Sequence, residues 1–115
     1  MRPPGTRIGL ARVHGRSMLP TLADGDLVVV GYGLQPRPGR LAVVQLPPDE
    51  SGRARPLAVK RVTGPDPQGG SGWWVERDNP GEGVDSWSVG PVPSSAIRAV
   101  VLVRLPRWAT RRWGG

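Results

Sequence analysis

The apolar positions of this chain fall in short runs and in alternation, and none of them repeats at helical spacing over a useful length. Residues 7–13, RIGLARV, alternate and predict a first strand. The run Leu27 to Val30 is continuous and β-branched, which suits a strand buried on both faces. QPRPG at 35–39 is turn chemistry, so Leu41 to Leu46 reads as the returning strand of a hairpin-like pair with that run. Leu57 to Thr63, LAVKRVT, follows a polar loop. With period two it sets Ala58, Lys60 and Val62 on one face and Val59 and Arg61 on the other. Trp73 to Arg77 and Ala96 to Leu105 complete the predicted strands, with a long Asx and glycine turn, DNPGEGVDS, at 78–86. Trp73 and Trp74 point to opposite sides of their strand, so at most one of them lines a groove.

Composition narrows this to a mostly β fold with little helix. Seventeen glycines and 14 prolines interrupt helix interiors, leaving one helical turn across Met18 to Leu22 as the longest expected early in the chain. A length of 115 residues supports one core. We divide the chain into residues 1–12, an N-terminal segment and first strand; 13–105, the main domain; and 106–115, a basic tail with two tryptophans. The tail is read as solvated or folded back, with peripheral contact to membrane headgroups or an acidic partner as the alternative. No run reaches the roughly 18 apolar residues that span a bilayer, and the start MRPPGTR lacks the apolar core of a signal peptide, so a cytoplasmic location is expected.

Charge and cysteine content remove several classes. The net charge of +7 invites nucleic acid, but the arginines are scattered and no aromatic residues alternate with them, so no nucleic-acid partner is expected. Cysteine is absent and His14 is the one histidine, which argues against thiol chemistry and against a metal site; no cofactor is expected.

Among the 16 basic residues Lys60 is the one lysine. Arginine keeps its proton in a protein, whereas a desolvated lysine can lose it, so the retained lysine marks a position where deprotonation matters. Its predicted place in an apolar row would favour the neutral amine. A serine to pair with it stands in GRSMLPTLADGD, residues 15–26, a proline-interrupted turn behind the first strand. His14 lies only three residues before Ser17, an awkward distance for a triad, whereas Lys60 on a separate element suits a serine/lysine dyad. In that outline the amine takes the serine proton and the Ser17 N–H donates to the developing oxyanion. Asp26, Asp78 and Asn79 read as turn and cap residues, and His14 as an exposed strand-end residue.

The segments SMLPTL (17–22), GDLVVV (25–30), KRVTG (60–64), DNPGEGVDS (78–86) and GPV (90–92) resemble, in order, the boxes of type I signal peptidases. The resemblance covers about residues 13–105 and implies a coiled, mostly antiparallel β-fold. It implies Ser17 as nucleophile and Lys60 as general base of a serine endopeptidase. Gly15, Arg16, Ser17 and Met18 would line the oxyanion and substrate site, with Arg61, Asp78, Asn79, Asp85 and Ser86 in support. Within that group the chain is most similar to the small soluble maturation proteases of nickel-containing superoxide dismutase, which implies as partner a precursor carrying an N-terminal leader. Four positions depart from the pattern. Gly15 replaces a serine that adds a hydroxyl to the oxyanion hole. Gly83 replaces the serine that helps orient the lysine. Arg77 and Trp87 replace a glycine and an arginine, so that Asp85 would need Arg61 or Arg77 as its partner. A general signal peptidase variant, a self-cleaving repressor-type domain and a peptide-binding module that has lost activity share the same framework.

Overall fold

A computed structural model describes residues 7–109 and contains one six-stranded sheet in which every pairing is antiparallel. The strands are β1 (Arg7–Arg12), β2 (Leu27–Tyr32), β3 (Leu41–Val44), β4 (Ala58–Pro65), β5 (Trp73–Glu76) and β6 (Ile97–Arg104). The fold is mostly β; helix among the described residues is limited to one turn of α-helix, α1 (Ser86–Val89), a 3-10 turn at Ser94–Ala96, and residues 107–109. Among the described residues no helix is long and apolar enough to cross a membrane. Residues 1–6 and 110–115, which include most of the basic tail, lie outside the described residues.

The strand order is β1-β2-β6-β3-β4-β5. The expected hairpin between residues 27–30 and 41–46 does not form: β6 lies between β2 and β3, with Gly31 opposite Val100 and Ala42 opposite Val100 on its other side. The most apolar strand of the second half takes the central place, where both of its edges are hydrogen-bonded, and a sequence pattern fixes burial without fixing neighbours. Register shifts at Val29/Val30, Val43/Val44 and Val62/Gly64 break the ladder three times. Irregularities of this kind bend a sheet and increase its twist.

Two apolar clusters result. Val13, Met18, Leu22, Val28, Val30, Val43, Val59 and Ala99 form one; Ala42, Val44, Leu46, Val62, Val75, Val92 and Ala96 form the other. Neighbouring residues of β3 divide between them, Val43 to the first and Ala42 and Val44 to the second, as alternation along a strand requires. Lys60 stands opposite Ala42 in the register, and Ser17 precedes Met18 of the first cluster. The site therefore forms where the two clusters meet.

Candidate active site

The turn that carries Ser17 is fixed from below and from both ends. Met18 and Leu22 are 1% and 2% exposed, and the Leu22 N–H donates to the Met18 carbonyl at 2.9 Å, closing a turn where the sequence predicts a helical turn; the Leu19–Pro20 peptide within it is cis. Val13 N–H to Asp26 O (2.8 Å) and Gly25 N–H to Val13 O (2.7 Å) close the base of the loop. Asp24 and Asp26 accept from the N–H groups of Gly15 and Ala23, as short acidic side chains do in turns. Asp26 also pairs with Arg107 at 3.2 Å, so its role is structural. His14 is exposed.

Lys60 rises from the middle of β4 and is 3% exposed. Its Nζ lies 3.0 Å from Ser17 Oγ, although 43 residues separate the two in sequence. Burial pushes the amine below its usual value of 10.5; the Asp85 carboxylate opposes that shift, and the Arg77 guanidinium adds to it. The net direction favours the neutral amine a proton acceptor needs.

Segment 77–85 closes over the pair. The Asn79 N–H donates to the Ser17 carbonyl at 2.8 Å and the Asn79 side-chain amide to the Arg16 carbonyl at 2.9 Å. Glu82 accepts from the Arg16 N–H at 3.2 Å. Asp78 receives a two-pronged bond from Arg61, 2.9 and 2.7 Å, and a third from the Thr21 hydroxyl at 2.6 Å. Its carboxyl is held below the ordinary carboxylate value chiefly by Arg61. Strand β4, the Ser17 turn and the 78–83 loop are thus tied at one point. Thr21 and Glu82 were not readable as members of the site, because each acts through one long-range contact to a loop.

Gly83 packs directly on the dyad. A Cβ there would stand 2.5 Å from Ser17 Cβ and 3.5 Å from Lys60 Nζ, and the backbone has φ of +102°, a conformation that disfavours side chains. The position that lacks the orienting serine has no room for one in this arrangement. Asp85 takes Arg77 and not Arg61, loosely, at 3.9 Å. Its firmer contacts are with the N–H groups of Trp87 and Arg77, both 3.1 Å, and the first of these caps α1. The predicted turn over 78–86 therefore ends at Asp85, the predicted strand 73–77 stops at Glu76, and a short helix follows. An aspartate ahead of Ser86 was the available sign of that cap. Ser86 is 1% exposed and accepts from the Val75 N–H at 2.9 Å; it serves β5 and does not touch Lys60.

No family model and no curated protein matches this chain.

A groove of about 310 Å³, lined by Leu10, His14, Leu57, Val59 and Arg98 among others, runs between the end of β1 and the start of β4. Strand β5 pairs with β4 only from Arg61 onward, so Ala58 to Lys60 offer an unpaired edge on that side. A larger cavity of about 860 Å³ contains neither Ser17 nor Lys60; Trp74, Trp87, Glu76 and Gln68 lie along it. The smaller groove contains neither residue either, although Ala58 and Val59, which precede Lys60 on β4, line it. Trp73 packs on the second cluster and Trp74 lies along the larger cavity, so neither tryptophan of β5 lines the smaller groove.

The four positions expected around an oxyanion differ in what they offer. The Gly15 and Arg16 N–H groups are taken by Asp24 and Glu82, and Met18 is core. The Ser17 N–H has no acceptor among the described residues.

Proposed function

We propose that this chain is a serine endopeptidase of the type I signal peptidase kind, with Ser17 as nucleophile and Lys60 as general base. The observation that carries the reading is the 3.0 Å contact between a buried amine and the Ser17 hydroxyl. Ser17 Oγ attacks the scissile carbonyl carbon while Nζ accepts its proton. The Ser17 N–H donates to the oxyanion that forms. The protonated amine then gives its proton to the leaving amine, and a water, activated by the same neutral lysine, releases the acyl group from Ser17. An extended leader adds as a strand along the free edge of residues 58–60, its side chains entering the groove between β1 and β4.

The preferred substrate is a precursor with an N-terminal leader, that of nickel superoxide dismutase first, processed in the cytoplasm; a broader signal peptidase-like processing enzyme is the alternative. Co-expression with such a precursor and mass measurement of its amino terminus tests this directly. Wild type is expected to trim the leader, while Ser17→Ala and Lys60→Arg each lose about a thousandfold or more in rate. Lys60→Arg keeps the charge and cannot act as a base, so full cleavage by that variant would falsify the mechanism. A second reading, a peptide-binding module without catalysis, is favoured by Gly83, which supplies no hydroxyl to Lys60. Leader binding without cleavage by wild type would establish it.

A further inference from the structure

Arg77 stands where the resembled family has glycine, and the proposed reaction has not used it. Its Nη1 donates to the Gly83 carbonyl at 2.9 Å and its Nη2 to the Pro80 carbonyl at 3.0 Å. Both carbonyls belong to the loop that lies on Ser17 and Lys60. The Arg77 Nε is buried without a hydrogen-bond partner, and the carboxylate nearest to the guanidinium, Asp85, is 3.9 Å away. A guanidinium that leaves one donor unmade and meets its carboxylate only loosely is not placed for a strong ion pair. It is placed to hold two carbonyls, one of them that of Gly83, the position that packs against Ser17 and Lys60 Nζ.

We propose that Arg77 is a positioning residue that fastens the 80–83 loop over the Ser17–Lys60 pair and supplies a fixed cation facing the lysine amine. It takes over part of the task that a hydroxyl at position 83 performs in the resembled family, by a different physical route. A hydroxyl orients the amine by a hydrogen bond; Arg77 confines it by holding Gly83 against it and disfavours its protonated form by repulsion. The other charged groups around this point are accounted for. Asp85, on the same segment, attracts the ammonium. Arg61 on β4 is neutralised by Asp78, and Glu82 is turned to the Arg16 N–H. The mechanistic part of this proposal rests on the serine–lysine reading above; the electrostatic part does not.

The single lysine makes the test direct. Protein grown on lysine labelled with ¹³C at Cε gives one side-chain resonance, and its shift against pH reports the protonation of Lys60 without any assay of activity. Arg77→Met is expected to move the titration midpoint upward, since a cation facing the ammonium is lost. Arg77→Gln, which keeps an amide for one carbonyl and lacks the charge, is expected to do the same and serves if the first variant does not fold. An unchanged midpoint in a folded variant overturns the electrostatic role. Acylation of Ser17 by p-nitrophenyl acetate, followed by intact mass at a pH above both midpoints, reads the fastening separately: Arg77→Met is expected to be about tenfold slower even with the amine neutral. Equal rates there overturn the fastening role. If wild-type Ser17 is never acylated, the protease reading fails, and the titration still decides what Arg77 does to Lys60.

Discussion

Two arginine–aspartate pairs flank the candidate dyad, and they are built differently. Arg61 and Asp78 meet in a two-pronged bond at 2.7 and 2.9 Å, with Thr21 on the same carboxylate. Arg77 and Asp85 approach only to 3.9 Å, and each spends its better hydrogen bonds on backbone groups. The first pair joins three segments and acts as a fastener, since a carboxylate that satisfies three donors resists replacement by water. The second forms a loose frame around an amine, where too close a contact would neutralise the very charges that tune it. Similar residue types thus form a tight side-chain pair at one place and a loose pair anchored on backbone groups at the other.

The strongest way to break this contrast is to remove the fastener. Asp78→Ala leaves Arg61 and Thr21 without their acceptor and is expected to cost about 1.5–3 kcal/mol in urea unfolding, with Ser17 acylation down by about a hundredfold. Gly83→Ser tests the frame, and despite restoring the serine of the resembled family it is expected to lower acylation about tenfold or more. The added Cβ collides with Ser17 and strains a backbone at φ of +102°. Higher activity than wild type would show that the loop yields.

Lys60→Met is expected to stabilise the fold at neutral pH by about 1 kcal/mol or more, because a buried amine is replaced by a packed apolar chain. The pH dependence carries the sign. The folded chain holds this proton more weakly than the unfolded chain, whose lysine keeps the usual 10.5, so wild-type stability rises with pH between the folded midpoint and 10.5. Thermal melts of Lys60→Met should lack that rise. Asp78 gives the same sign in a lower pH window. Its carboxyl is depressed on folding, so the clamp contributes fully above the ordinary 3.8 and is lost as pH falls through the folded value. The smallest effect is expected from Trp87→Ala, a 74% exposed indole that touches Trp74 edge-on and bonds Glu76, with acylation of Ser17 unchanged.

The contact between Ser17 and Lys60 was legible for reasons that the structure makes concrete. A lone lysine in a period-two apolar row had to point inward, and a serine one residue before a buried Met18 had to stay near the surface of the core. The choice of partners was not legible. Asp78 and Asp85 look alike in sequence, and only the path of the 78–85 loop assigns Arg61 to one and Arg77 to the other. Helix α1 escaped notice because four residues carry no periodicity, and what signals it is the cap at Asp85. The strand order escaped too, since β2, β3 and β6 share the same apolar character and none announces its neighbours.

The central place of β6 bears on how the protein is made. A ribosome delivers β1, the Ser17 turn and β2 first, then β3, β4 and the lysine, and neither group has a strand partner in the other. Residues 97–104 are the bridge, because β6 pairs with β2 on one side and with β3 on the other. The sheet is therefore continuous between the strands around the Ser17 turn and the strand of Lys60 only when residues 97–104 pair with both. Until then the segments that carry Ser17 and Lys60 belong to separate strand pairs.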